Sequence, residues 1–172
     1  MLLGVVLAGG ASRRFGSDKA LAEVEGRTLL AHAVDTLSGW CDQIVVVGRE
    51  QAPAPTLPDW PRAGMGPLGG LAAALRFAAD DGYATVLSCP VDAVGLPEDL
   101  PARLAPAPSY LAAQPVIGLW PAGAVTQIEA LLHSDERHSM KRFAERIGAR
   151  GIALPMALPN INTPEDLARL TG

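Results

Sequence analysis

The chain has 172 residues, of which 49% are hydrophobic, and a formal net charge of −4. This length suits one well-buried domain and is short for two, so we expect a single domain over residues 1–172. The negative charge gives no basic field that would attract long nucleic acid. Two cysteines, Cys41 and Cys89, are too few for a disulfide framework and form no zinc pattern, so we expect two buried thiols.

The first residues, 1–7, form an apolar run that has no basic region in front of it and ends at two glycines. This pattern predicts neither a signal peptide nor a membrane span. We therefore expect a cytoplasmic protein that makes no membrane contact.

Strand and helix patterns alternate along the chain. Short aliphatic runs that end in turn residues predict four buried parallel strands, at 2–7, 43–47, 84–88 and 116–119. Apolar residues at helical spacing predict helices at 28–37, 68–79, 121–133 and 139–147, and from Pro164 to the end. Between them, we expect a short extended piece with a turn at 20–26, a proline-rich surface loop at 51–67 and an extended segment at 150–154.

This alternation predicts a three-layer α/β/α domain, Rossmann-like, with a mostly parallel sheet and right-handed crossovers. In such sheets ligands bind beyond the carboxyl ends of the strands, near the point where the strand order reverses. The residues expected there are 7–19, 48–67 and 88–96.

The first predicted strand runs into a glycine-rich loop, Leu7-Ala8-Gly9-Gly10-Ala11-Ser12-Arg13-Arg14-Phe15-Gly16-Ser17-Asp18-Lys19. Adjacent glycines let the backbone turn sharply with its N–H groups toward an anion, and three cations follow. The spacing fits neither the P-loop of kinases nor the dinucleotide-binding Rossmann loop. On the glycines alone, a tight strand-to-helix connection explains the loop equally well, whereas the cations favour a triphosphate site.

Taken whole, the loop resembles that of nucleotidyltransferases with the form L-A-G-G-x-S-x-R-x-G-x-D-K, and within them the molybdenum cofactor guanylyltransferase family. Sugar-phosphate relatives tend to carry a Gly-Thr-Arg variant that this chain does not match. The resemblance implies nucleotide binding by Leu7, Ala8, Gly9, Gly10 and Lys19. It also implies that Arg14 and Lys19 stabilise the phosphates during catalysis.

A carboxylate, Asp92, follows the third predicted strand in Ser88-Cys89-Pro90-Val91-Asp92. It is similar to the family's metal-binding aspartate, which implies a role in catalysis and nucleotide binding through Mg²⁺. Without the first motif, a loop acid or a cap would be the better interpretation of this residue. The family often has a proline two residues after the aspartate; here Ala93-Val94-Gly95 follows, and this difference leaves the local backbone conformation open.

The proline-rich loop contains Asp59, which resembles the family's base-binding acid, and it leads into a G-P-L-x-G segment at Gly66. A carboxylate accepts from both N1–H and the exocyclic amine of guanine, whereas cytosine offers only an amine there, so Asp59 favours GTP over CTP. A solvated loop acid is the alternative, and the glycines of the segment also suit close helix packing. Gly48 stands where the family often has a polar residue such as Asn. One contact to the nucleotide is therefore missing, or Arg49 replaces it.

Near the end of the chain, Asn160-Ile161-Asn162-Thr163-Pro164-Glu165-Asp166-Leu167 resembles the family's closing motif. The resemblance implies that Asn160 and Asn162 contact the second substrate, although Asn162 equally suits the turn before the Thr163 helix cap. The three histidines, His32, His133 and His138, form no metal-binding pair, and we expect structural or surface roles for them.

Together these motifs imply a Mg²⁺-dependent enzyme that transfers GMP from GTP to a molybdopterin-type cofactor and releases pyrophosphate. The reaction class follows from the loop, and the pterin acceptor follows from the resemblance alone. Three alternatives stay open: a cytidylyltransferase, a sugar-phosphate nucleotidyltransferase of the same fold, and a non-catalytic nucleotide-binding partner. A transient protein partner that delivers the pterin is compatible with the resemblance. From the net charge, we expect no nucleic acid among the binding partners.

Overall fold

A computed structural model describes residues 1–9, 19–159, 161 and 163–171 of the chain. The strands are β1 (Leu2–Leu7), β2 (Glu23–Val24), β3 (Arg27–Thr28), β4 (Gln43–Val47), β5 (Thr56–Leu57), β6 (Thr85–Pro90), β7 (Ser109–Leu111), β8 (Gln114–Pro121) and β9 (Arg150–Ile152). The helices are α1 (Leu29–Ser38), α2 (Gly66–Asp81), α3 (Leu100–Leu104), α4 (Val125–Leu132), α5 (Met140–Ile147) and α6 (Pro164–Thr171).

Seven of these strands form one sheet in the order β5-β4-β1-β6-β8-β7-β9. Strands β5, β4, β1 and β6 are parallel, β8 pairs antiparallel with β6 and β7, and β9 pairs parallel with β7. The mostly parallel sheet is confirmed, but the prediction that 116–119 forms a parallel strand is wrong. A buried aliphatic run shows that a segment is a strand and does not show its direction, which here follows from the turn that joins β7 to β8.

Both faces of the sheet are covered, which gives the predicted three layers. The residues of β1 alternate between the two cores: Val5 packs with α2, α4 and α5 on one face, and Val6 packs with α1 and α3 on the other. Side chains of successive strand residues point to opposite faces, so a continuous apolar strand supplies both cores.

Helix starts follow the polar residues that precede them. Thr28 accepts from the amide of Ala31 to cap α1, and Ser139 accepts from the amide of Arg142 to cap α5. Helix α2 begins at Gly66, two residues before its predicted start, with a proline in its first turn. The predicted extended piece at 20–26 lies in the small antiparallel pair of β2 and β3.

The end of the described chain packs against this small pair. Ile161 is buried with Leu29, and Val91, Val24 and Leu167 pack against them. Helix α6 starts with the predicted cap, because the hydroxyl of Thr163 accepts from the amide of Asp166. The closing motif therefore reaches the region next to Asp92.

Neither cysteine takes part in a disulfide. Cys89 is buried and Cys41 is partly buried, and burial raises the pKa of Cys41 to about 12, with a smaller contribution from Asp42. Within the part of the chain that the structure describes, every helix is too short or too polar to span a bilayer.

Candidate active site

A cleft of about 890 Å³ opens at the carboxyl ends of β1, β4 and β6. After β1 the chain forms α1 and then β4, which lies on one side of β1 in the sheet, and it later forms β6 on the other side of β1. The strand order therefore reverses at β1, and the cleft lies at this switch point. All three segments predicted to meet the ligand contribute to its lining: Leu7, Ala8, Gly9, Lys19, Gly48, Asp59, Pro90 and Asp92.

Two charged residues from distant motifs meet in this cleft. Lys19 Nζ lies 3.1 Å from Asp92 Oδ2, and only 14% and 18% of the two side chains are exposed. Lys19 begins a short 3₁₀ turn that follows the glycine-rich loop, whereas Asp92 follows β6. The two motifs, which the sequence predicted to lie at one ligand site, thus place a cation and a carboxylate side by side in the cleft.

Asp92 sits in a tight turn that differs in sequence from the family pattern. The amide of Ala93 donates to the carbonyl of Pro90 at 3.1 Å, which closes the turn around Asp92. Gly95 has a φ of 68° and lies against Pro159. The sequence Ala93-Val94-Gly95 therefore keeps the carboxylate in the cleft without the family's proline.

The glycine at position 48 is required by close backbone contact. Its φ is 96°, and an added Cβ would overlap the backbone N and Cα of Gly9. The amide of Ala8 donates to the carbonyl of Val47 at 2.9 Å, which joins the same two segments. A polar side chain at 48 has no room in this arrangement, and Arg49 beside it lines the cleft instead.

Asp59 lines the cleft in the segment between β5 and α2, and β4 and β1 separate β5 from β6 in the sheet. Partial burial raises the pKa of its carboxyl group, although the backbone amides of Met65 and Gly64 donate to it and act in the opposite direction. These hydrogen bonds fix the loop around the carboxylate. They leave Asp59 in the lining of the cleft.

The G-P-L-x-G segment is the first part of α2. Gly69 and Gly70 are buried, and an added Cβ at Gly70 would lie 2.6 Å from Leu7 Cδ2. Gly70 thus permits the helix to pack closely on the sheet, as the alternative interpretation predicted, whereas Gly69 permits a close approach of the loop at Trp60 and Met65. Gly66 and Pro67 line the cleft.

The histidines lie outside the cleft and have structural contacts. His32 Nε2 pairs with the carbonyl of Val24 at 2.7 Å, His138 Nε2 pairs with the carbonyl of Ser134, and the His133 ring contacts Trp60. Within the described ranges, no group of three or more His, Cys, Asp or Glu side chains is arranged to hold a metal ion.

Four predicted site residues, Gly10, Arg14, Asn160 and Asn162, lie outside the described residues. The cleft also has lining residues that lie outside the three predicted segments, namely Ala20, Val47, Gly70 and Val116. Val116 was missed because its strand was expected to be parallel; β8 runs antiparallel to β6, so the first residues of β8 lie beside the carboxyl end of β6.

A mostly parallel sheet with a cleft at its switch point, lined by a lysine and a carboxylate, is typical of an enzyme that binds a nucleotide or another small ligand. Residues 4–152 match the model of the MobA-like NTP transferase domain, and the chain belongs to this family. It is 40% identical to a molybdenum cofactor guanylyltransferase of Acidiphilium cryptum, over 96% of this chain and 92% of the relative. It is 36% identical to one of Rhizobium johnstonii, over 96% and 90%.

A solved structure shares the fold. The molybdopterin-guanine dinucleotide biosynthesis protein A of Archaeoglobus fulgidus superposes with a TM-score of 0.74 at 20% identity, over 98% of this chain and 96% of that one. The family and the fold predicted from the motifs are thus confirmed: the chain is a member of the MobA-like NTP transferases, and it is similar over nearly its whole length to proteins named as molybdenum cofactor guanylyltransferases.

Proposed function

We propose that the protein transfers GMP from GTP to the terminal phosphate of a molybdopterin-type cofactor, and that it forms a guanine dinucleotide and pyrophosphate. The observation that carries the proposal is the pair of Lys19 and Asp92, 3.1 Å apart in the cleft. The relatives named as molybdenum cofactor guanylyltransferases support the choice of nucleotide and acceptor.

The transfer needs alignment more than acid–base chemistry. An ionised phosphate oxygen of the acceptor attacks the α-phosphorus of GTP, the bond from that phosphorus to the bridging oxygen breaks, and the electron pair leaves with pyrophosphate. The acceptor oxygen carries its charge near neutral pH, so no strong base is required. Lys19 stabilises the negative charge that grows on the leaving pyrophosphate, and the amide of Gly9 adds a fixed donor. We assign Arg14 and Gly10 the same task.

The residues present fit a magnesium ion. Mg²⁺ is commonly held by one or two carboxylates together with substrate phosphates and water. Asp92 supplies one carboxylate in the cleft, beside the position that we assign to the phosphates. When bound, Mg²⁺ would neutralise charge on the triphosphate. Asp92 holds that ion in our proposal, and Lys19, its partner without ligand, turns to the phosphates.

Asp59 binds the base in this proposal. Its carboxylate lies in the lining of the cleft, and burial raises its pKa. The N1–H and 2-amino groups of guanine both donate, so a guanine base supplies two further hydrogen bonds to this partly buried carboxylate. This arrangement favours GTP over CTP.

The second substrate enters from the side of the closing motif. Ile161 is buried against the segment that carries Asp92, with Val91 and Val94 packed around it. We assign Asn160 and Asn162, its neighbours in sequence, to the acceptor.

The test measures pyrophosphate release with Mg-GTP and molybdopterin. Lys19→Met should lower kcat about 10²- to 10³-fold, the usual effect of removing one donor to a developing charge. The matched control is Lys141→Met, because Lys141 is exposed on α5 and should leave kcat unchanged. Asp92→Ala should abolish the dependence on Mg²⁺.

Three results would contradict the proposal. Wild-type protein that binds Mg-GTP without turnover above Asp92→Ala would indicate a non-catalytic nucleotide-binding partner. Faster turnover with CTP would indicate a cytidylyltransferase. Turnover with a hexose 1-phosphate in place of the pterin would indicate a sugar-phosphate enzyme.

A further inference from the structure

The loop that carries Asp59 is attached to two helices by the residue next to it, Trp60. Trp60 is half-buried and packs against the core of the α2 face, and it is not among the described residues that line the cleft. Its side chain therefore lies behind the nucleotide site, while the adjacent carboxylate faces into it. Three separate contacts hold this side chain and its backbone.

The first contact joins the loop to the start of α2. The backbone amide of Trp60 donates to the carbonyl of Gly69 at 3.2 Å, and the approach is close because a Cβ on Gly69 would lie 3.1 Å from the carbonyl oxygen of Trp60 and 2.5 Å from Met65 Cβ. Because Gly69 has no side chain, both ends of the loop, Trp60 and Met65, can pack against the same turn of the helix.

The second contact is made two turns further along the same face of α2. The guanidinium carbon of Arg76 lies 5.0 Å from the centre of the Trp60 ring, a cation–π geometry. Arg76 also forms an ion pair with Glu129 of α4, so the cation over the ring is itself held in place.

The third contact comes from the end of α4. The ring of His133 meets the Trp60 ring edge-on, with centroids 5.2 Å apart and an angle of 84° between the planes. The indole is thus held between α2 and α4. We propose that Trp60 is a positioning residue that fixes the Asp59 carboxylate for guanine, and so sets the selectivity for the base.

This inference rests on the proposed function, because it assumes that Asp59 binds guanine. It follows from how the loop is built: Asp59 accepts from Gly64 and Met65 at one end, and Trp60 anchors the other end to α2. Without the indole, the loop loses its contacts with Arg76 and His133. The carboxylate can then move relative to the base while the phosphate end of the cleft, around Lys19, stays as it is.

The experiment compares the binding of Mg-GTP and Mg-ITP by calorimetry. Hypoxanthine keeps N1–H and lacks the 2-amino group, so wild-type protein should bind GTP on the order of tenfold more tightly than ITP. Trp60→Ala should bring that ratio close to one by weakening GTP more than ITP, because only GTP loses the hydrogen bond from the 2-amino group, whereas Trp60→Phe should keep most of the selectivity. Trp40→Ala is the matched control, because Trp40 packs on the other face and donates to the carbonyl of Glu98.

Arg76→Met is the second variant, since Arg76 is exposed and its replacement removes the cation over the indole, together with the ion pair to Glu129, and leaves Trp60 itself in place. It should lower the ratio part of the way, and this measurement decides the matter if Trp60→Ala does not fold. The inference is overturned if Asp59→Ala loses the selectivity for GTP but the Trp60 and Arg76 variants keep the wild-type GTP-to-ITP ratio. Equal weakening of both nucleotides counts as an unchanged ratio. If Asp59→Ala keeps the wild-type ratio, the base assignment fails and the inference fails with it.

Discussion

At the scale of one residue, the Asp59 carboxylate lowers the stability of the folded protein. Burial raises the pKa of its carboxyl group above 3.8, so folding is penalised wherever the group is ionised, and the penalty disappears as the pH falls below that value. Asp59→Asn should therefore raise the melting temperature at neutral pH and bring no gain below pH 3.8. Thermal unfolding of both proteins across this range measures the difference.

Asp99 provides a contrast for the same experiment. Its hydrogen bond with the Arg103 side chain lowers the pKa of this exposed carboxyl group, so its small stabilising effect is present at neutral pH and fades as the pH falls below 3.8. Asp99→Asn should lower the melting temperature slightly at neutral pH. If both variants change stability in the same direction, the account of Asp59 is wrong.

Gly48 carries a second prediction at this scale. Gly48→Ala combines a positive φ with overlap on the backbone of Gly9, whereas Gly82, with a φ of 81°, has open space around its Cα. Gly82→Ala should cost about 1 kcal/mol from backbone strain alone. Gly48→Ala should cost clearly more and weaken GTP binding, because it moves the segment that leads into the phosphate loop. Urea unfolding and calorimetry check both effects, and equal losses in the two variants would refute the role of the contact.

At the scale of the elements, one hydroxyl joins the parallel strand β6 to the antiparallel strand β8. Ser88 Oγ of β6 donates to the carbonyl of Val116 at 2.6 Å and accepts from Trp120 Nε1 at 2.9 Å, both on β8. Ser88→Ala leaves a buried indole N–H without this partner and should lower the free energy of unfolding by about 1–3 kcal/mol.

The control for this prediction is Ser38→Ala. The Ser38 hydroxyl donates to the carbonyl of Val34 at the exposed end of α1, where water can replace it. Its loss should change the free energy of unfolding by less than about 0.5 kcal/mol. Comparable losses from the two serines would show that the β6–β8 hydrogen bonds contribute no special stability.

The same elements show what the sequence could and could not predict. Strands β1 and β4 match their predicted bounds because an aliphatic run that ends at turn residues is typical of a buried strand and too short for a helix. Strand β7 and helix α3 were not predicted, since three and five residues are too short for a period to be recognised. The pair of Lys19 and Asp92 followed from motifs at two strand ends. The contacts of Trp60 could not be predicted from the sequence, because its partners on α2 and α4 are far apart in the chain.

At the scale of the whole molecule, the cleft is built from strands that take part in both cores. Strands β1, β4 and β6 carry residues of the α2 face and of the α1 face, and their carboxyl ends line the cleft. A ligand that joins these ends should therefore stabilise both layers together. Within the described residues, the helices on each face of the sheet share their core with these strands.

Unfolding of the protein with and without Mg-GTP tests this coupling. The far-ultraviolet signal of the helices and the near-ultraviolet signal of buried Trp120 should change in one transition. At a free ligand concentration of about 100 times Kd, Mg-GTP should add roughly 2.7 kcal/mol to the free energy of unfolding and move both signals equally. Asp92→Ala should lose the part of this gain that depends on Mg²⁺. Two separated transitions, or a ligand shift in only one signal, would mean that the layers unfold independently and that the cleft does not couple them.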